Sequence, residues 1–109
     1  MKIENVKVRD IAKEFGTPVY VYSLETLRRS IEEVKQLAPV TRYAMKANSN
    51  IRILREMLDN GVKIDAVSVF EVQRALRAGF QTQDICFTSD VFFNDDDVKF
   101  CLENNIYCN

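Results

Sequence analysis

Four short strand-like runs recur along the 109-residue chain at intervals of 21 residues. The runs are TRYAMK, VKIDAV, DICFTS and NIYCN, centred near Ala44, Asp65, Cys86 and Tyr107. The stretches between them, IRILREMLDN, EVQRALRA and DDDVKFCLEN, are amphipathic. Strands that alternate with helices of roughly ten residues are typical of βαβ units on a parallel sheet. The chain is therefore predicted to form either a small open α/β sheet or the N-terminal part of a (β/α)8 barrel, which in full needs about 250 residues.

The first 39 residues are predicted to lead into this repeating part. In VKVRDIAKEFG the apolar residues recur at helical intervals up to Gly16, a typical C-cap. The segment TPVYVYS predicts a short strand, and Ser23 is a favourable N-cap for the helix after it. We therefore divide the chain into residues 1–39, with a helix, a strand and a second helix, and residues 40–109, with the first βα units and a fourth strand cut off as it begins.

Charge and hydropathy exclude several classes of partner. The net charge is −1, which gives no electrostatic signature of binding to nucleic acid or to an anionic membrane. No apolar run is long enough to span a bilayer, and the first ten residues, MKIENVKVRD, lack the apolar stretch of a signal peptide. We expect a cytoplasmic protein.

The chain contains no histidine, which excludes Ser-His and Cys-His catalysis and the common histidine-containing metal sites within it. Lysine, aspartate, glutamate, tyrosine and cysteine remain as candidate nucleophiles or bases. Cys86, Cys101 and Cys108 are odd in number and show no C-x-x-C spacing. They are predicted to be free, buried thiols of a reducing compartment.

Polar residues follow the predicted strands at their carboxyl ends, where active sites of parallel α/β folds gather. Lys46 ends the first run, Asp65 lies late in the second, and Ser89 and Asp90 follow the third. Strand alternation places Lys46 on the same face as Ala44. The lysine is either a solvated loop residue or an amine that forms a Schiff base with a carbonyl compound.

Two helix starts carry acidic residues that have a simple structural explanation. Ser68 and Glu71 match the capping box S-x-x-E. Asn94 followed by three aspartates predicts an N-cap and a first turn that the helix dipole favours, rather than a metal site.

The segment YAMKANSNIRILREM resembles the signature of the fold-type III, pyridoxal-phosphate-dependent decarboxylases of basic amino acids. The resemblance continues through TPVYVYS, GVKIDAVSVFEVQRALRAGF and DICFTSDV, in the family's order and over nearly the whole chain. It is most similar to the diaminopimelate branch of that family. One departure is Phe70, which stands where the family commonly has a glycine before the glutamate.

The resemblance implies a (β/α)8 barrel followed by a β-domain, in a homodimer with shared active sites. It implies that Lys46 carries pyridoxal 5'-phosphate as a Schiff base, and that Asp65 and Glu71 lie close to that lysine and the cofactor. The reaction implied is decarboxylation of meso-diaminopimelate to L-lysine. The family's ring-stacking histidine, glycine-rich phosphate loop and pyridine-nitrogen glutamate come later in the chain, so we expect these 109 residues to be an inactive fragment.

Three alternatives remain. Ornithine and arginine decarboxylases share the strand and lysine pattern, and alanine racemase shares K-A-N but continues with a different loop. A decarboxylase-like chain can also be a non-catalytic regulator or binding partner. A flavodoxin-like module would need a glycine-rich phosphate loop after the first strand, and KANSN has no glycine.

Overall fold

The protein, seen in a computed structural model that describes residues 1–88 and 94–109, is built around a four-stranded parallel sheet. Its strands are β3 (Arg42–Ala44), β4 (Lys63–Ala66), β5 (Ile85–Phe87) and β6 (Tyr107–Cys108), and they lie side by side in chain order. The four strand-like runs of the sequence are thus confirmed as the strands of one parallel sheet.

A helix follows each of the first three strands. These helices are α3 (Ile51–Asp59), α4 (Val69–Ala78) and α5 (Asp95–Glu103). Each begins at a residue whose side chain accepts a backbone N–H of the first turn, namely Asn50, Ser68 and Asn94. Gly79 ends α4 in the left-handed conformation with φ of 112°, as predicted from its position after the apolar stripe.

The core lies between the sheet and these helices. Helix α4 packs against β4 and β5, and α5 packs against β6. The strand residues on this face, such as Ile64 and Ile85, are fully buried, as is Leu54 on α3. Full burial of a side chain of this size contributes roughly 1.5–3 kcal/mol, so each of these residues stabilises the fold appreciably.

Helix α2 (Leu24–Lys35) is linked to α3 by an ion pair whose carboxylate is buried. Arg28 donates from Nε to Glu56 Oε2 at 2.8 Å and from Nη2 to Glu56 Oε1 at 3.0 Å. Glu56 is only 3% exposed. Ser23 caps α2 by accepting from Thr26 N at 3.0 Å, as predicted.

The N-terminal residues differ from the sequence-based expectation in two respects, an additional hairpin and a missing strand. Strands β1 (Lys2–Ile3) and β2 (Val6–Lys7) form a small antiparallel hairpin, and α1 (Val8–Phe15) ends at Gly16 as predicted. The expected strand at TPVYVYS does not form. A strand needs a hydrogen-bonded neighbour, and none of the described strands pairs with this segment.

Candidate active site

The sheet has one face that the helices α3 to α5 do not cover. Strand register aligns four residues in a row across this face: Ala44, Asp65, Cys86 and Tyr107. Ala44 and Tyr107 are exposed and Asp65 is half-buried, whereas Cys86 is buried. Parallel sheets are usually covered on both faces, so this row is the part of the sheet with room for another element or a ligand.

Lys46 follows the carboxyl end of β3, on a single 3-10 turn (Met45–Ala47). The prediction that the first strand runs through Lys46 is wrong, because β3 stops at Ala44. Met45 is fully buried in the core, whereas Lys46 is exposed. The Met45 side chain therefore fixes the turn to the core, and the Lys46 side chain is accessible to solvent. The lysine is therefore held by a tight turn that packs against β4.

Asp65 is the third residue of β4, and its register partner in β3 is Ala44. The strand that carries the acid is thus the immediate neighbour of the strand that leads to the lysine. The residues on either side of it, Ile64 and Ala66, are fully buried on the helix-covered face. Asp65 therefore points to the uncovered face.

Glu71 has a clear structural role at the start of α4. Its Oε2 accepts a hydrogen bond of 2.8 Å from Val67 N, and its own N–H donates to Ser68 Oγ at 3.2 Å. This is the predicted reciprocal cap, except that the carboxylate reaches one residue further back than in the usual capping box. Phe70, in the same first turn, is 81% exposed.

The polar loop after Lys46 is held by contacts that the sequence pattern did not single out. Tyr43 donates from its hydroxyl to the carbonyl of Asn48 at 3.0 Å. Arg74 on α4 donates to the carbonyl and to the Oγ of Ser49, both at 3.3 Å. In the sequence pattern Tyr43 is one more apolar strand residue, and Arg74 is a solvated helix residue. The pattern therefore predicts neither contact.

The other candidate residues are placed as follows. Ser89 and Asp90 lie outside the described residues. Asn94 accepts from Asp97 N at 2.8 Å, which confirms it as an N-cap.

Within residues 1–88 and 94–109, no group of three or more histidine, cysteine or acidic side chains could hold a metal ion. No helix in that part of the chain is both long and apolar enough to cross a membrane.

The three thiols are free, as predicted. Cys86 and Cys101 are buried, whereas Cys108 is half-buried. Burial, with Cys108 close by, raises the pKa of the Cys101 thiol to about 12. The Cys101 thiol is therefore a structural residue rather than a candidate nucleophile, because a nucleophilic cysteine needs a lowered pKa.

The site suits attachment of a carbonyl cofactor at Lys46. A primary amine follows the carboxyl end of one strand of a parallel sheet, and an acid lies on the neighbouring strand, on the face that the helices leave uncovered. A lysine amine forms Schiff bases with aldehydes, whereas the metal and histidine chemistries have no ligands in the described part of the chain.

Known proteins share this arrangement of sequence and fold. Residues 24–109 match the family model for "pyridoxal-dependent decarboxylase, pyridoxal binding domain". The diaminopimelate decarboxylase of Escherichia coli (strain K12) is 52% identical over 82 residues, which are 72% of this chain and 19% of that protein.

Solved structures agree with the sequence matches. A crystal structure of diaminopimelate decarboxylase superposes with a TM-score of 0.82 at 44% identity, over 91% of this chain and 24% of that one. The Helicobacter pylori diaminopimelate decarboxylase complexed with L-lysine gives 0.83 at 29% identity, over 92% of this chain and 26% of that one.

The chain thus spans about a fifth to a quarter of the length of these relatives. Its four parallel strands correspond to an N-terminal portion of their barrel, which confirms the barrel over the small open sheet. On this evidence the chain belongs to the pyridoxal-dependent decarboxylases, and residues 24–109 are pyridoxal binding domain.

Proposed function

We propose that this chain supplies the cofactor-bearing lysine of an enzyme that decarboxylates meso-diaminopimelate to L-lysine. The observation that carries the proposal is the position of Lys46 directly after the carboxyl end of β3, with Asp65 on the next strand. The similarity to diaminopimelate decarboxylases supports the substrate. The L-lysine in the H. pylori structure supports the product.

In this proposal Lys46 binds pyridoxal 5'-phosphate through its Nζ, which must lose a proton to attack the aldehyde carbon. When bound, the cofactor supplies a sink for the electrons released as the bond to the substrate carboxylate breaks. Arginine could not replace the lysine, since a guanidinium stays protonated and does not form the bond.

Asp65 and Glu71 are the residues that we place beside the cofactor. Asp65 lies opposite Ala44, two residues before Lys46, and is half-buried. Glu71 uses Oε2 for the helix cap, while among the described residues its Oε1 makes no hydrogen bond. Glu71 can therefore cap α4 and still offer one oxygen to a ligand.

The wider organisation is part of the same proposal. Residues 1–39 lead into the barrel, and residues 40–109 form its first βα units. The enzyme acts as a homodimer in the cytoplasm. The 109 residues alone are inactive, since they supply only Lys46, Asp65 and Glu71 of the proposed site, and their sequence holds no glycine-rich loop for the cofactor's phosphate.

Reductive trapping tests the lysine assignment. In the full-length protein that carries these residues, borohydride should fix pyridoxal phosphate to Lys46, and peptide mapping should find the label there. Lys46→Ala and Lys46→Arg should both abolish CO₂ release. Lys35→Ala is the matched control, because Lys35 is an exposed helix lysine paired with Glu32 at 3.6 Å. A label on Lys35 or Lys63 would show that the assignment is wrong.

The substrate is tested by competition among basic amino acids. Initial rates of CO₂ release should be highest with meso-diaminopimelate and much lower with ornithine, arginine and lysine. A clear preference for ornithine or arginine would move the protein to the polyamine branch. Trapping at Lys46 without turnover of any of the four would favour a non-catalytic, regulatory chain.

A further inference from the structure

The turn that carries Lys46 is held on both sides. Before the lysine, Met45 is fully buried. After it, the carbonyl of Asn48 accepts the 3.0 Å hydrogen bond from the hydroxyl of Tyr43. This bond spans the turn, because it joins a strand residue three positions before the lysine to a carbonyl two positions after it.

The same loop is linked onward to the start of α3. Asn48 Oδ1 accepts from Asn50 N at 3.0 Å, and Asn50 Oδ1 accepts from Arg52 N at 2.9 Å. These hydrogen bonds therefore connect Tyr43, before the lysine turn, through Asn48 and Asn50 after it, to the first turn of α3. Removal of the first of these bonds frees the carbonyl that closes the turn.

Tyr43 lies on the helix-covered face of the sheet, where its register partner is the fully buried Ile64. Ala44 and Asp65, in contrast, belong to the uncovered face. Tyr43 thus acts on the lysine through the backbone and not by contact with a ligand on the other face. Burial raises the pKa of the Tyr43 phenol, so it stays protonated and able to donate through the neutral range.

We propose that Tyr43 is a positioning residue for Lys46: its hydrogen bond to Asn48 keeps the turn closed, so that the lysine amine stays at the carboxyl edge of the sheet. The inference rests on the proposed attachment of pyridoxal phosphate to Lys46. It goes beyond that proposal because it assigns a role to a residue on the opposite face of the sheet.

The test compares Tyr43→Phe with Tyr20→Phe in the full-length protein. Both changes remove one hydroxyl and keep the ring, and Tyr20 is 91% exposed and outside the matched domain. In the apo-protein, backbone amides of residues 46–50 should exchange faster only in Tyr43→Phe. That variant should also retain pyridoxal phosphate about three- to tenfold more weakly, as expected for one lost hydrogen bond. The pH at which the absorbance of the lysine–cofactor adduct changes should shift as well.

The outcomes separate this inference from the proposed function. Equal exchange, equal cofactor retention and an unchanged absorbance profile in the two variants would overturn the positioning role while trapping at Lys46 still stood. Faster exchange across α3 and β4 as well would also overturn it, because it would indicate general loss of stability. Failure to trap the cofactor at Lys46 in the unmodified protein would instead reject the proposed function, and this inference with it.

Discussion

Arg28 on α2 and Glu56 on α3 form a two-bond ion pair, with Nε–Oε2 at 2.8 Å and Nη2–Oε1 at 3.0 Å. The side chain of Glu56 is only 5% exposed, whereas that of Arg28 is 55% exposed. The buried Glu56 carboxylate therefore needs Arg28 to compensate its charge, whereas the exposed Arg28 guanidinium can be solvated by water. This pair attaches α2, the first helix of the pyridoxal binding domain, to the helix that follows the lysine loop.

The asymmetry of this pair predicts an order of stability. Arg28→Met should destabilise the protein more than Glu56→Gln, because it leaves a buried carboxylate whose one remaining ion-pair partner among the described residues is Arg52, at 3.7 Å. Melting temperatures measure the effect. Glu103→Gln, which removes an exposed pair with Lys99 at 3.9 Å, is the control and should change the melting temperature little. Equal losses from Arg28→Met and Glu103→Gln would contradict the prediction.

The same pair predicts sensitivity to acid. The hydrogen bonds from Arg28 hold the pKa of Glu56 below its ordinary value, although burial opposes them. A carboxylate with a lowered folded pKa stabilises the protein fully above the unfolded value of about 4.3 and less as the pH falls through it. Stability should therefore decline below about pH 5. Glu56→Gln should flatten that decline in denaturant titrations from pH 7 to pH 3. An unchanged slope would argue against the assignment.

The strands and helices of residues 40–109 were predictable because capping residues, apolar periodicity and strand spacing all indicate the same fold there. Each helix has a capping residue before an apolar stripe, as at Ser68, and two of the three have a glycine after it, as at Gly79. The strand-like runs are spaced for parallel pairing. Such agreement leaves few alternative folds for residues 40–109.

The errors arose where pairing or tertiary contacts decide the conformation. TPVYVYS has the composition of a strand, but a strand forms only with a neighbour, and Tyr20 stays 91% exposed. The first strand ends before Lys46 because Met45 inserts into the core and Tyr43 bonds to a carbonyl beyond the turn. Neither contact can be predicted from the periodicity of apolar residues in the sequence.

Paired variants should separate the cap function of Glu71 from its proposed place beside the cofactor. Ser68→Ala removes one cap acceptor and should cost about 1 kcal/mol of stability, with decarboxylation per folded molecule unchanged. Glu71→Gln keeps an oxygen for Val67 N but loses the charge. It should therefore lower decarboxylation at least tenfold with a small change in stability. Full activity in Glu71→Gln would limit Glu71 to capping.

The thiols should react with a disulfide reagent in a fixed order at pH 8. Cys108 should react first because it is half-buried, and Cys101 last, because burial and its neighbour raise its pKa to about 12. Cys108→Ser should leave Cys101 unreactive, since burial is the larger cause of the raised pKa. Denaturant should make all three thiols react at once. Rapid labelling of Cys101 in the folded protein would contradict the burial that the structure gives it.

The isolated 109 residues should associate and should not catalyse decarboxylation. The face that holds Ala44, Asp65 and Tyr107 is uncovered, and the outer edges of β3 and β6 have no strand beside them among the described residues. Exposed strand edges and an uncovered parallel sheet favour pairing with other chains. Sedimentation should therefore show dimers or larger species at micromolar concentration. Assays with pyridoxal phosphate and meso-diaminopimelate should give no CO₂ above the free cofactor. Steady CO₂ release from a preparation shown to be monomeric would overturn this prediction.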